Sequence, residues 1–142
     1  MLGGYCIIKK EKSTGQLTGD KKDSEGRAME MTVYNAMETI IQQGEPGECM
    51  YYVLAGKVGA FLNYATPAER KLSELGEQQF FGEMSLLNDE PRSATVIALE
   101  DNTCVQLISK KNFRAFCAEY PEMVFSIMQQ LSQRLRAATS RD

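Results

Sequence analysis

The sequence predicts a mainly β fold with flanking α-helices, specifically a β-roll of the jelly-roll type, also called a double-stranded β-helix. Short apolar runs recur between residues 31 and 109, and glycine, proline, asparagine or aspartate residues separate them. After residue 110 the apolar residues change to helical spacing. We therefore expect a β-roll over residues 31–109 and C-terminal helices over residues 110–137, within one domain that spans residues 31–142.

Six apolar runs predict the strands of the roll, and turn-forming residues lie between them. Residues 68–72 are largely polar and predict a longer connection between two strands. Aromatic residues in this region are expected to fill the interior, since large aromatic side chains are usually buried. The predicted strands are 32–34, 39–41, 50–54, 58–62, 93–99 and 104–108, and the aromatic residues are Tyr51, Tyr52, Phe61, Phe80 and Phe81.

Two helices are predicted after the roll. Ser109 can cap a helix over residues 110–119, and Tyr120 precedes a break at Pro121, which suits the first position of a second helix. An apolar stripe on the second helix can pack on the roll alone, or it can also serve as a hinged lid and a dimer seam. The members of the stripe are Val124, Ile127, Met128, Leu131 and Leu135.

Residues 1–30 are predicted to be an N-terminal extension of unknown role. Residues 5–8 can form a short strand, and the turn at residues 13–15 can pair it with Leu17 as a hairpin. The rest is rich in charged and small residues and predicts a loop or tail.

The composition excludes several classes of function. The chain has 142 residues, a net charge of −3, four scattered cysteines and no histidine. Without histidine, metal sites, metal-dependent cupin chemistry and histidine-dependent hydrolase triads are poor candidates. No apolar run is long enough to cross a bilayer, and no signal peptide is evident. We expect a cytoplasmic protein with reduced thiols, no metal or other cofactor, no membrane association and no enzymatic activity.

Residues 81–95 carry the most specific pattern in the chain. Gly82 allows close approach of a ligand, and the N–H groups at the start of a short helix favour an anion. Arg92 can meet phosphate oxygens with its planar guanidinium, and Pro91 restricts the backbone before it. Glu83 is anionic and suits sugar hydroxyls rather than phosphate. A surface ion pair between Glu83 and Arg92 is the structural alternative.

The same segment resembles the phosphate-binding cassette of cyclic nucleotide-binding domains, as found in catabolite activator proteins and in kinase regulatory subunits. The family pattern is Phe-Gly-Glu, a hydrophobic residue, Ser or Ala, Leu, a variable loop, and Pro-Arg-Ser/Ala-Ala-Thr, and residues 81–86 and 91–95 match it. Residues 40–58 are similar to the family's early strands, with glycines at the turns. The resemblance covers about residues 31–137.

The resemblance implies a sensor module that binds a 3′,5′-cyclic nucleotide and relays binding through movement of its C-terminal helices. Glu83 would bind the ribose 2′-hydroxyl, and Arg92 would bind the cyclic phosphate together with the N–H groups of Ser85 and Ser93. Cyclic AMP is slightly favoured, although Ser93 is compatible with cyclic GMP as well. The expected ligand-binding residues are Gly82, Glu83, Met84, Ser85, Arg92, Ser93, Ala94 and Thr95, and the expected pocket wall is Val58, Leu72, Phe80 and Leu86.

The chain departs from the family pattern in two places. Met37-Glu38 stands where relatives usually have Gly-Glu, and nothing after the predicted helices resembles a helix-turn-helix, so we expect no DNA binding. A homodimer through the second helix is compatible with its apolar stripe. A degenerate member that binds no ligand and acts as a dimerisation or protein-interaction module is the alternative function.

Overall fold

The computed structural model of the protein describes residues 30–139, so the predicted strand at residues 5–8 and its hairpin lie outside the described residues. Within them, two four-stranded antiparallel sheets form the roll. The strands are β1 (Met31–Tyr34), β2 (Thr39–Ile41), β3 (Cys49–Ala55), β4 (Val58–Leu62), β5 (Arg70–Leu75), β6 (Phe80–Phe81), β7 (Thr95–Ala98) and β8 (Thr103–Ser109). The first sheet has the order β1-β8-β3-β6, and the second has the order β2-β7-β4-β5.

The core between the two sheets explains the apolar runs in the sequence. Tyr51 and Val53 of β3 meet Val58 of β4 and Val96 of β7, and all four side chains are buried. The outer face of the first sheet is covered as well, where Tyr52 and Ile108 pack under the helices. Strands that are buried on both faces lose the usual polar alternation, and β3 accordingly reads as a continuous apolar run. The predicted mainly β fold is confirmed.

Three helices complete the described part of the chain: α1 (Glu83–Asn88), α2 (Phe113–Glu119) and α3 (Pro121–Thr139). Leu86 of α1, Phe116 of α2 and Ile127 of α3 share the cluster on the outer face of the first sheet. Pro121 begins α3, as predicted. Among the described residues, no helix combines the length and the apolar character that a membrane crossing requires.

The six strands predicted from the sequence include neither β5 nor the two-residue strand β6, and the predicted start of α2 was too early. Residues 68–72 were predicted to be a connection, but β5 (Arg70–Leu75) pairs with β4 as an edge strand. Its side chains are almost all exposed, so it carries no apolar pattern, and charged residues are usual on such an edge. Ser109 closes β8 by pairing with Cys49, and a turn follows, so α2 begins at Phe113 instead of Lys110.

The turn at Met37 takes the conformation that glycine usually supplies. Met37 has φ 74°, in the left-handed region, and its N–H donates to the Ala98 carbonyl at 2.7 Å. Its side chain is 65% exposed. The departure from the family's Gly-Glu pattern therefore leaves the turn in place and puts a methionine into an unfavourable backbone region.

Candidate functional site

A left-handed glycine and a short helix shape the segment from β6 to β7. Gly82 has φ 84° and precedes α1, and Asp89, with φ 57°, caps the C-terminal end of this helix. The Ser85 hydroxyl donates to the Glu90 carbonyl at 2.7 Å and closes the loop that follows α1. The Ser85 hydroxyl is therefore hydrogen-bonded within the loop, and the Ser85 N–H group remains as the predicted phosphate contact.

Arg92 is buried at the centre of this segment, with 7% of its surface exposed. Its backbone N–H donates to the Glu45 carbonyl at 2.9 Å, and its carbonyl accepts from the Gly44 N–H at 2.8 Å. The turn between β2 and β3 thus fixes the backbone of Arg92. This contact explains why the two family-like stretches of sequence, far apart in the chain, belong to one site.

Within residues 30–139, the Arg92 guanidinium has only weak partners. It donates to the Gly82 carbonyl at 3.2 Å and to the Cys49 sulfur at 3.6 Å. Its Cζ atom lies 5.8 Å from the centre of the Tyr51 ring. Burial raises the pKa of the Tyr51 hydroxyl well above its usual range, so this ring brings no negative charge. Among the described residues, no carboxylate pairs with Arg92.

Two glycines make room for the guanidinium. A Cβ atom at Gly47 would lie 2.3 Å from Arg92 Cζ, and one at Gly82 would lie 2.8 Å from Nη1. Both distances are far below van der Waals contact. The guanidinium therefore occupies space that only these glycines leave open.

A cavity of about 460 Å³ opens beside Arg92, between the second sheet and the segment that contains α1. Apolar side chains of the second sheet form one side of it, and backbone and polar groups around α1 form the other. The apolar lining includes Ile41, Ala60, Leu72, Leu75 and Val96, and the polar lining includes Glu74, Glu83, Ser93, Arg92 and Arg134. This cavity, called the first cavity below, combines an apolar wall with one buried cation.

Glu83 faces the C-terminal helix rather than Arg92. Its carboxylate lies 3.8 Å from the Arg134 guanidinium, and its side chain is 18% exposed. Burial lowers the pKa of Arg134, and Glu83 opposes this shift. The alternative of a surface ion pair between Glu83 and Arg92 is therefore wrong, because Arg92 is buried and bonded elsewhere.

The structure brings seven of the eight predicted ligand-binding residues to the first cavity. Thr95 is the exception, because its hydroxyl is buried and accepts the Gln43 N–H at 3.0 Å. The seven residues that line the cavity are Gly82, Glu83, Met84, Ser85, Arg92, Ser93 and Ala94.

The predicted pocket wall needs correction. Of its four members, only Leu72 lines the first cavity. Val58 belongs to the core between the sheets. Phe80 and Leu86 point to the opposite face of the first sheet, where they pack under the helices. Alternation along β6 explains the error for Phe80, since the neighbouring Phe81 lines the cavity instead.

Sequence reasoning missed three contributors to the site. Arg134 donates to the Phe80 carbonyl at 2.8 Å, and its Cζ atom lies 4.4 Å from the Phe80 ring centre. Gly47 and Cys49 contact Arg92 from a distant part of the chain. Gly47 and Cys49 lie in the family-like stretch of residues 40–58, but only the folded chain brings these three residues to the site.

No metal centre is formed in the described part of the chain, where histidine, cysteine, aspartate and glutamate do not gather in threes. The charged groups at the first cavity are two acids, Glu74 and Glu83, and two guanidinium groups, Arg92 and Arg134. A hydrogen bond from Lys71, together with the charge of that lysine, lowers the pKa of Glu74. The arrangement suits an anion at Arg92 and hydroxyl donors at Glu83.

Comparison with known protein families shows which family the chain belongs to. The cyclic nucleotide-binding domain family matches residues 31–120. The chain belongs to this family. The match includes both sheets, α1, Arg92 and α2.

Relatives of this cyclic nucleotide-binding domain include regulators of two kinds. The cyclic AMP receptor protein of Thermus thermophilus is 35% identical over 106 residues, which cover 75% of this chain and 49% of that protein. The cAMP-dependent protein kinase regulatory subunit of Dictyostelium discoideum is 32% identical over 117 residues, covering 80% of this chain and 35% of that protein. The chain thus spans half or less of these relatives.

Among solved structures, the catabolite activator protein of Thermus thermophilus is similar to this domain with a TM-score of 0.67 and 33% identity. The similarity covers 78% of this chain and 52% of that one. The antiparallel roll, the short helix and the C-terminal helices are therefore features that the domain shares with its family.

Proposed function

We propose that the first cavity binds a 3′,5′-cyclic nucleotide, with cyclic AMP favoured over cyclic GMP, and that the domain is a non-catalytic sensor. The buried Arg92 is the observation that carries this proposal. This guanidinium is 7% exposed, lines a cavity and donates only to a carbonyl and a thiol in the described part of the chain, so it is poised for an anionic ligand. A cyclic phosphate supplies one negative charge and two free oxygens for its planar donors.

The remaining parts of the nucleotide have suitable partners in the first cavity. Glu83 is an acceptor for the ribose 2′-hydroxyl, and the N–H groups of Ser85 and Ser93 are further donors for the phosphate. Leu72 and Val96 belong to the apolar wall, which suits the faces of a purine. Both relatives described above carry cyclic AMP in their names, which supports the preference for that nucleotide.

Calorimetric titration with cyclic AMP and cyclic GMP tests the proposal. We expect the full chain to bind cyclic AMP more tightly, and Arg92→Ala to weaken binding by about 3 kcal/mol or more, since it removes the partner of a buried charge. Arg92→Lys serves as the matched variant, because it retains the charge but loses the planar fork. The absence of heat with either nucleotide, in a protein that melts cooperatively, would refute the proposal.

Movement of α3 is the proposed relay. Arg134 donates to the Phe80 carbonyl and lies near Glu83, while the Gln130 side-chain amide donates to the Gln78 carbonyl at 2.7 Å. These bonds join α3 to β6, immediately before Gly82, and to the turn that precedes β6. A nucleotide that draws Glu83 away from Arg134 changes the stability of the contact between α3 and the β6 region. The nucleotide therefore binds with different affinity to the two positions of α3, and a population shift requires such a difference.

Hydrogen exchange on α3, with and without cyclic AMP, tests the relay. We expect the protection of amides near Arg134 to change on binding, and Arg134→Met to give similar protection in both states. Arg136→Met is the matched control, since Arg136 is an exposed arginine in the last turn of α3. Identical exchange with and without bound nucleotide would contradict the relay while leaving binding intact.

A homodimer through α3 is the second candidate role. The same dimer would be the function of the domain if it binds no ligand. Phe125, Met128 and Leu135 are 57%, 59% and 66% exposed on this helix. The predicted stripe therefore divides, because Val124, Ile127 and Leu131 pack on the roll while Met128 and Leu135 face outward. Sedimentation of the full chain should show a dimer, and Phe125→Glu should dissociate it.

We also infer a cytoplasmic setting and no DNA or membrane binding by this domain. Cys49, Cys104 and Cys117 are free thiols in the described part of the chain, as expected in a reducing compartment. The net charge of −3 disfavours binding to phosphate backbones. An electrophoretic mobility assay with random duplex DNA, with and without cyclic AMP, should show no shift.

A further inference from the structure

A second cavity of about 490 Å³ lies on the outer face of the first sheet. Tyr52 and Gln106 form part of its wall as directly opposed residues of β3 and β8. The first turns of α3 and the turn between β5 and β6 close its sides through Glu122 and Glu77. Inward residues of β8, such as Val105, face the core between the sheets. Gln106 therefore points away from the first cavity.

Gln106 carries the feature that indicates a ligand. Its side chain is buried, with 4% exposed, and its Oε1 atom has no hydrogen-bond partner within the described residues. A buried amide oxygen without a donor is destabilising, and native proteins rarely retain one unless a water or a ligand satisfies it. Gln106 is one of the residues that line the second cavity.

The charges around the second cavity select the kind of donor. Glu77 and Glu122 are exposed carboxylates at its edge, and no lysine or arginine is among the described residues that line it. Burial raises the pKa of the Tyr52 hydroxyl, so this ring remains neutral. The rings of Tyr52 and Tyr120 offer the aromatic surface that organic cations favour.

We propose that the second cavity binds a small aliphatic amine that carries N–H donors and a positive charge. One nitrogen donates to Gln106 Oε1 at the buried end, and the positive charge is balanced by Glu77 and Glu122 at the exposed end. The aliphatic part contacts Leu54 and Met123, which line the same cavity. This site is distinct from the nucleotide site and does not depend on it.

Calorimetric titration of the full chain with 1,4-diaminobutane tests this inference. We expect saturable binding at one site, no binding of 1,4-butanediol, which has the same length without charge, and no binding of succinate, which has the opposite charge. The inference is overturned if the diamine gives no saturable heat or if the diol binds as well as the diamine.

Three variants distinguish a built site from general attraction between an amine and an acidic protein. Gln106→Met keeps the length of the side chain and removes the acceptor, so it should weaken diamine binding about tenfold or more without lowering the melting temperature. Glu122→Gln should weaken binding severalfold, and the exposed Glu100→Gln on the turn after β7 should not. Equal effects of the two glutamate variants, or wild-type affinity in Gln106→Met, would refute the inference. Cyclic AMP affinity should be unchanged in Gln106→Met, so loss of the nucleotide site would be recognised separately.

Discussion

Replacing Gly47 with alanine should move the Arg92 guanidinium without mutating any predicted ligand-binding residue. The new Cβ atom would lie 2.3 Å from Arg92 Cζ and Nε and 2.6 Å from Nη2. The backbone of Gly47 is outside the left-handed region, so alanine can adopt its conformation. The clash involves the far end of a flexible side chain, which can rotate away. The mutation therefore acts on the position of one charged group.

The size of the effect follows from the required displacement. Carbon atoms in contact stay about 3.5–4.0 Å apart, so the guanidinium must shift by more than about 1 Å. A shift of that size lengthens an N–H to phosphate bond beyond hydrogen-bond range. Each hydrogen bond to a charged group contributes about 1.5–3 kcal/mol, so loss of one of them weakens nucleotide binding roughly 10–150-fold.

The fold should tolerate the same change. The bonds that Arg92 loses within the protein are long, at 3.2 Å to the Gly82 carbonyl and 3.6 Å to the Cys49 sulfur. Alanine also reduces the conformational freedom of the unfolded chain, which contributes about 0.4–1 kcal/mol of stability. We therefore expect the free energy of unfolding to change by less than about 1 kcal/mol.

Calorimetry with cyclic AMP and urea unfolding measure the two quantities. Gly76→Ala is the matched control, because its Cβ would meet nothing closer than 3.9 Å and its backbone is also outside the left-handed region. Nucleotide affinity in Gly47→Ala equal to that of wild type and of Gly76→Ala would refute the role assigned to the guanidinium position. A large loss of stability in Gly47→Ala would refute the claim that only Arg92 moves.

Three further predictions concern stability and are measured by chemical denaturation. Met37→Gly should raise the free energy of unfolding by up to about 1 kcal/mol, because it relieves a left-handed φ of 74° at an exposed side chain; no gain would show that the turn is unstrained. Gly56→Ala should lower it by about 3 kcal/mol or more, because a Cβ there would lie 2.7 Å from the Thr103 Cα atom and φ is +89°; near-neutral stability would contradict this close packing. Burial raises the pKa of the Cys104 thiol from 9.0 to about 11. The contribution of this thiol to the free energy of unfolding is therefore complete below pH 9, and about 2–3 kcal/mol of it is lost as the pH rises to 11. The difference in unfolding free energy between wild type and Cys104→Ala should shrink over that interval, and a constant difference would contradict the shift.

The sequence by itself determined the β-roll, the position of the family-like segment at residues 81–95 and the break at Pro121. These features depend on local signals. Turn residues separate apolar runs, the order Phe-Gly-Glu to Pro-Arg-Ser-Ala-Thr is contiguous, and a proline cannot continue the hydrogen bonding of the helix before it. The apolar spacing of α3 was equally visible, but the division of its residues between the roll and the solvent was not.

Only the tertiary structure decided which residues line the first cavity. Phe80 and Phe81 are adjacent aromatic residues, and the alternation of β6 sends one under the helices and the other to the first cavity. Arg134 reaches the site from α3, and Gly47 leaves space for the Arg92 guanidinium because it has no side chain. Local sequence encodes whether a segment is a strand, a turn or a helix. Which face of that segment meets the cavity depends on contacts between distant residues, and these form only when both sheets and α3 have packed together.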